Sequence, residues 1–226
     1  MSQSNGKLQL IFKFYRLSKQ LPDIKSLIKK HFFVYDLNCS PDNRLMNVGE
    51  QLVSSYLRYI CGCEFIQTNL NTVEQHGEID VVGINLKEKK VYVCEVAIHL
   101  TTGLQYVKEK RPNNIQKLTE KFSRDIEYAT KHFSEYVRHF MLWSPIVKDS
   151  QGDPQYNQLG HLAAVKTNIK EKYDVELECV VNEAFHSSLK ELRQFAAAQT
   201  SALQCPLLRL LQIEELLGVH VTKIKA

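Results

Sequence analysis

The chain has 226 residues, of which 44% are apolar and 24% charged, the balance of a soluble globular domain long enough for a proper core. Its net charge of +4 is mild but uneven: seven Lys/Arg stand against two Asp/Glu over residues 1–38, two against six over 39–85, and ten against six over 86–131. No segment approaches the length of a membrane span, and Lys13 and Arg16 break the apolar run from Leu8 to Leu17 where a secretion signal would need continuity. The six cysteines (39, 61, 63, 94, 179, 205) have no zinc-ligand spacing, so a reduced, cytoplasmic protein without membrane contact is expected.

Residues 1–38 read as a basic helical appendage of two pieces separated at Pro22. Ile24, Leu27, Ile28 and Phe32 mark an apolar face, with Lys25, Lys29 and Lys30 around it. A packed appendage with a solvated basic face accounts for this; a dimerisation or DNA-clamping arm is the alternative. Residues 39–226 read as the main domain. Ser40-Pro41-Asp42 is a helix start, followed at helical spacing by Leu45, Val48, Leu52, Tyr56 and Ile60. Gly49 falls inside that apolar face, where close approach of helix to sheet is the simplest reason for a glycine. Gly62 ends the helix, Glu64 to Asn69 reads as a first strand, and Leu70 to His76 as a polar loop.

The stretch Gly77–His99, GEIDVVGINLKEKKVYVCEVAIH, reads as a hairpin: strand Asp80 to Asn85, solvated turn Lys87 to Lys90, strand Val91 to Ile98. Glu95 interrupts an otherwise buried run, and a lone buried carboxylate costs several kcal/mol unless it is paired or holds a metal. Antiparallel pairing would set residue 80 opposite about residue 95, and directly opposed like charges destabilise a sheet. A divalent cation between them would turn that conflict into a site. Should arginine and lysine partners in the interior tie up these acids instead, the case for an ion between them falls, and with it any function built on that ion. Glu78 would share the face of Asp80, and Ala97 and His99 the face of Glu95.

A basic stretch (Lys108, Lys110, Arg111) precedes a helix whose apolar face is Ile115, Leu118, Phe122, Ile126, Ala129 and Phe133. Lys117, Lys121 and Arg124 lie together to one side of it. Tyr136 to Lys148 reads as a strand ended by Ser144-Pro145, with Trp143 as packing. A helix from Gln158 to Lys172 and a strand from Val175 to Val181 form a further αβ unit. Leu189 to Ala198 reads as a helix, and Pro206 to Leu217 as a last one, apolar nearly all round, for which burial is the default and a subunit interface the alternative.

Gly77-Glu78-Ile79-Asp80, a hairpin, then Cys94-Glu95-Val96-Ala97 resembles the core of the PD-(D/E)XK nucleases, a family of restriction endonucleases, junction resolvases and repair nucleases. The likeness covers roughly residues 45 to 99. It implies an α/β fold with a mixed central sheet flanked by helices, a restriction-endonuclease-like core, and a metal-dependent DNA endonuclease using Mg²⁺ or Mn²⁺. In the family an Asp opens the second core strand, Glu-x-Lys sits on the third, and some branches add a Glu from the preceding helix. Carried onto this chain, that implies Asp80, Glu95 and the carbonyl of Val96 as metal ligands, with Glu50 binding a second ion or its water. Lys108, Lys110, Arg111, Lys117 and Lys121 become candidate DNA contacts. Symmetric double-strand cutting would need a homodimer. Where the family has its lysine this chain has Ala97, and three explanations stand open. His99 takes over the proton transfer; Lys117 or Lys121 reaches in from the following helix; or the chain is a catalytically inactive DNA-binding or assembly module that keeps the fold. An RNA-processing or small-molecule enzyme on another α/β fold would make the acid pair a coincidence.

Overall fold

A computed structural model describes residues 47–72 and 77–225; the expected appendage over 1–38 and the helix start at Ser40-Pro41-Asp42 lie outside them. The first described helix, α1 (Val48–Tyr59), begins at Asn47. This residue is extended (φ −60°, ψ 123°), and its side chain accepts from the Gly49 N–H at 2.9 Å. The helix thus starts at Val48, with the Asn N-cap satisfying its first amides from outside it, and Leu45, where the expected spacing begins, lies outside the described residues.

Three antiparallel strands follow: β1 (Phe65–Thr72), β2 (Gly77–Asn85) and β3 (Lys90–Val96). β1 runs through Thr72 where a loop was expected after Asn69; its polar face is tolerable because β1 is an edge strand. A short hairpin, β4 (Val107–Lys108) and β5 (Arg111–Pro112), leads into helix α2 (Asn114–His132). Then come β6 (Val137–Ser144), α3 (Gln158–Tyr173), β7 (Leu177–Val181), α4 (Glu183–Ala198) and α5 (Pro206–Lys225). The sheet order is β1-β2-β3-β6-β7, with β3, β6 and β7 parallel, so the fold is α/β with a mixed sheet flanked by helices, as expected. Among the described residues no helix is long and apolar enough to cross a membrane.

Alternation along β3 assigns its two faces. Cys94 joins Leu52, Val53 and Leu57 of α1, Phe185 and Leu192 of α4, and Leu208 of α5 in one core cluster. Trp143 belongs to that cluster too, edge-on to Tyr56 and Phe185, and is packing. Glu95 faces the other way, toward α2. α4 starts six residues before the expected Leu189 because Phe185 and Ser188 continue the buried stripe of Leu192 and Ala196. α5 continues past the expected Leu217 to Lys225.

Gly49 is where α1 meets the sheet: a methyl there would run into Ile98 Cγ1 and stand 3.1 Å from Val96 Cγ1. The glycine thus permits the close helix–sheet approach its position predicts, and it sets Glu50 at the sheet surface.

Candidate functional site

The β2–β3 ladder ends at Val81↔Cys94, and the same register sets Asp80 opposite Glu95. At that point Asp80 Oδ2 accepts the Val96 N–H at 2.7 Å, so a side chain closes the ladder where a backbone pair would otherwise stand. Glu95 is fully buried. Burial pushes its carboxyl well above the ordinary carboxylate range, the charges of Asp125 and Asp80 push the same way, and Lys121 pulls it back.

α2 supplies the balancing charge. The Lys121 ammonium bonds Glu95 Oε2 and stands 3.8 Å from Asp80 Oδ2. Burial alone would lower this lysine's pKa, but Glu95 and Asp80 hold it above its usual value, so it stays a cation. One turn on, Arg124 Nη2 reaches Glu95 Oε1 at 3.3 Å, the Glu78 carbonyl at 2.7 Å and Asp125 Oδ1 at 2.9 Å. Arg124 crosses the start of β2 over Gly77, where any methyl would run into its guanidinium. Asp125 is buried, and burial lifts its carboxyl to about 6; its Oδ2 has no hydrogen-bond partner. Of the two ways of neutralising the acid pair, the described residues show interior lysine and arginine partners, the arrangement that counts against a metal between the acids. The two acids are brought together, and Lys121 and Arg124 engage both oxygens of Glu95.

Glu50 joins from the first turn of α1. It is 8% exposed and accepts from Asn69 Nδ2 at 3.0 Å. Burial raises its pKa, Asp80 and Glu78 add to the rise, and the Asn69 bond opposes it. Asn69 stands opposite Asp80 in the β1–β2 register, and its φ of 51° is a left-handed conformation that Asn adopts more readily than most residues.

The remaining candidates lie around this centre. Lys108, Lys110 and Arg111 are exposed on the β4–β5 hairpin. The hairpin is tied down by Asn113 N–H donating to the Tyr106 carbonyl (2.7 Å) and Tyr106 N–H donating to Asn114 Oδ1 (2.7 Å). Because Lys121 Nζ lies 6.0 Å from the Tyr106 ring centre, the hairpin base borders the acid pair. Lys117 is exposed on the first turn of α2 and His99 is exposed beyond β3. Among the described residues no hydrogen bond or ion pair joins either to Asp80 or Glu95. Ala97 is buried and spends its N–H on the Trp143 carbonyl (2.8 Å). Sequence reasoning named Arg124 only as part of a basic stripe, and it missed Asn69 and Asp125. Asp125 interrupts the buried stripe Leu118, Phe122, Ile126 and Ala129, the same signal that marks Glu95.

Among the described residues no three His, Cys, Asp or Glu side chains are arranged to hold a metal ion unaided. Comparison with known protein families, curated proteins and solved structures finds no match to this chain.

Proposed function

We propose that this chain is a divalent-cation-dependent DNA endonuclease of the PD-(D/E)XK type, with Lys121 in the part of the lysine that position 97 lacks. The observation that carries the reading is Lys121 itself, which comes from the helix behind β3 and contacts both acids of the hairpin. Of the three explanations for Ala97, a lysine relocated to the following helix is the one this geometry supports. The element order around it (a helix, three antiparallel strands, a helix, then a strand parallel to the third) also agrees with the resemblance.

The donor set suits an oxygen-seeking ion. Mg²⁺ is commonly held by one or two carboxylates, water and substrate phosphate rather than by a protein cage. Asp80 and Glu95, with the Val96 carbonyl, would hold it, and Glu50 would take a second ion or its water. Five acids (Glu50, Glu78, Asp80, Glu95, Asp125) gather about two cations (Lys121, Arg124), and the raised pKa values of Glu50, Glu95 and Asp125 mark a cluster that a divalent ion would help to ionise. When bound, the ion would lower the pKa of a water and neutralise charge on the scissile phosphate. Lys121 would stabilise the charge developing on that phosphate, Arg124 orients Glu95, and Asn69 orients Glu50. Lys108, Lys110 and Arg111 would bind the DNA backbone. The resemblance implies a 5′-phosphate product, and paired cuts across a duplex would need a homodimer.

One observation favours a second reading. Lys121 already stands between the two acids, as a resident counter-ion would in a DNA-binding or assembly module that performs no hydrolysis. Plasmid and synthetic branched DNA, incubated with Mg²⁺ or Mn²⁺ and wild-type or Asp80→Ala protein, separate the two. Cleavage by wild type that Asp80→Ala loses supports the enzyme. No cleavage by either, or equal cleavage by both, rejects it, and salt-dependent DNA binding without hydrolysis selects the module.

A further inference from the structure

Beyond the carboxyl ends of the parallel strands β3 and β6 lies a cavity of about 160 Å³, at the same edge of the sheet as Glu95 and Val96. Open α/β sheets keep their ligand crevices at that edge. The loop after β3 contributes Thr102 and Gln105, the loop after β6 contributes Lys148 and Tyr156, and Asn114 and Gln158 are the first residues of α2 and α3. Asn114 is 2% exposed. Its Oδ1 accepts the Tyr106 N–H at 2.7 Å, and its Nδ2 donates to the Leu104 carbonyl at 2.8 Å and lies 3.3 Å from His161 Nδ1. Gln158, 6% exposed, donates from Nε2 to the Thr102 carbonyl and accepts the Lys148 N–H at Oε1, both at 2.9 Å. Two buried carboxamides thus hold both loops by their backbones, which fixes the cavity walls in advance of any ligand.

The lining is polar and carries little charge. Among the described residues no acid lines the cavity, and Lys148 Nζ already donates to the Thr101 carbonyl at 2.9 Å. A phosphate is held best by charged donors, so this provision suits a nucleobase better. Carboxamides match the donor and acceptor edges of bases, and aromatic rings stack on their faces. Gln105 makes no side-chain hydrogen bond among the described residues, and Tyr156 is 47% exposed at the rim. The volume is room for about five waters, enough for one base and too little for a base pair. Asn114 precedes Lys121 by seven residues on α2, about 10 Å along the helix axis, or about three steps of a DNA strand at roughly 3.4 Å each. We propose that this cavity takes one nucleobase of the substrate, turned out of its stack, about three nucleotides from the scissile phosphate. The inference rests on the nuclease reading for that register. It narrows the substrate to DNA with an unpaired nucleotide, because a paired base must first be unpaired at a cost in free energy.

Fluorescence anisotropy of the full chain without divalent ion is the test, on labelled duplexes of one sequence that are fully paired, carry one bulged deoxyadenosine, or carry a bulged abasic site. The bulged adenosine is expected to bind at least about tenfold more tightly than either of the others, the scale of one stacked base. Gln105→Ala and Tyr156→Ala each reduce that ratio, and together they abolish it. Neither removes a side-chain hydrogen bond within the described residues, so melting temperatures equal to wild type are the control for folding. With Mn²⁺, the strand bearing the adenosine is cut about three nucleotides from it. Equal binding of the abasic bulge overturns the proposal, since the bend and not the base would then be recognised. A preference that survives the double variant overturns it as well. Cleavage of all the duplexes alike, with no preference in binding, keeps the nuclease reading and overturns the base site. Adenosine-selective binding that the double variant loses, with no cleavage, keeps the base site and rejects the nuclease reading. Binding to no DNA overturns both.

Discussion

Lys121 on α2 bonds Glu95 on β3 although the two are 26 residues apart, and neither is freely solvated: their side chains are 17% and 1% exposed. Removing Lys121 leaves Glu95 only the 3.3 Å contact to Arg124. Lys121→Ala is therefore expected to lower unfolding free energy, by less than the roughly 3–5 kcal/mol of a buried pair that loses its sole partner, read by urea denaturation. If the pair is only a counter-ion arrangement, Lys121→Met combined with Glu95→Gln recovers most of that loss in a double-mutant cycle. If Lys121 also serves cleavage, Lys121→Met alone, with Glu95 kept in place, cuts at least about a hundredfold slower, the scale of a lost charge-stabilising donor.

Asp80 separates structure from chemistry at one position. Its carboxylate accepts the Val96 N–H at 2.7 Å. Asp80→Asn keeps an acceptor for that amide, whereas Asp80→Ala strands it at a cost of about 1–3 kcal/mol. Thermal unfolding should therefore distinguish the two variants, while metal-stimulated cleavage should be lost in both.

Gly49→Ala tests the seat of α1. The added methyl meets Ile98 and Val96, so overpacking of about 1–3 kcal/mol should outweigh the roughly 1 kcal/mol gain in helix propensity. A melting temperature equal to or above wild type would mean that α1 lifts from the sheet without cost. Glu50, carried on the same turn, should lose its bond to Asn69 if the helix moves.

Asp125 gives the fold a pH dependence of defined sign. Its carboxyl lies at about 6 in the folded chain against an ordinary 3.8, because burial penalises its charge. Between those values the folded state binds more protons than the unfolded one, so Asp125's contribution to stability falls as pH rises and levels off above about 6. Asp125→Asn cannot titrate there. Its stability relative to wild type is expected to improve from pH 4.5 to pH 7, measured by urea unfolding at both.

The basic hairpin makes a prediction about salt. Replacing Lys108, Lys110 and Arg111 by alanine should reduce the slope of log K against log salt for duplex binding by about 0.9 for each phosphate that is no longer neutralised. Fluorescence anisotropy over a salt series measures it, and an unchanged slope would take the hairpin out of the interface.

Where the sequence is legible, the reason is local. A polar turn between two apolar runs fixes the β2–β3 register, and an acid inside a buried run marks Glu95 without any knowledge of the fold. The choice between Lys117 and Lys121 is not local. They sit four residues apart on one helix face, and only the placement of α2 against the sheet brings Lys121 to the acids while leaving Lys117 exposed. The β4–β5 hairpin escapes a sequence reading because its central residues, Glu109 and Lys110, adopt φ of 51° and 64° without the glycine or asparagine that normally announces such a turn. Asn69 escapes for a similar reason: its role depends on a local distortion of an edge strand that reads as ordinary polar sequence.

The crossing of Arg124 over Gly77 links two positions 47 residues apart. A sequence that acquires any side chain at 77 must retract the arginine, which frees Glu95 from one of its two cations and makes the cluster more negative. Drift at 77 and 124 is therefore expected to be concerted, and the electrostatic character of the cluster can be retuned from a strand terminus that carries no charge of its own.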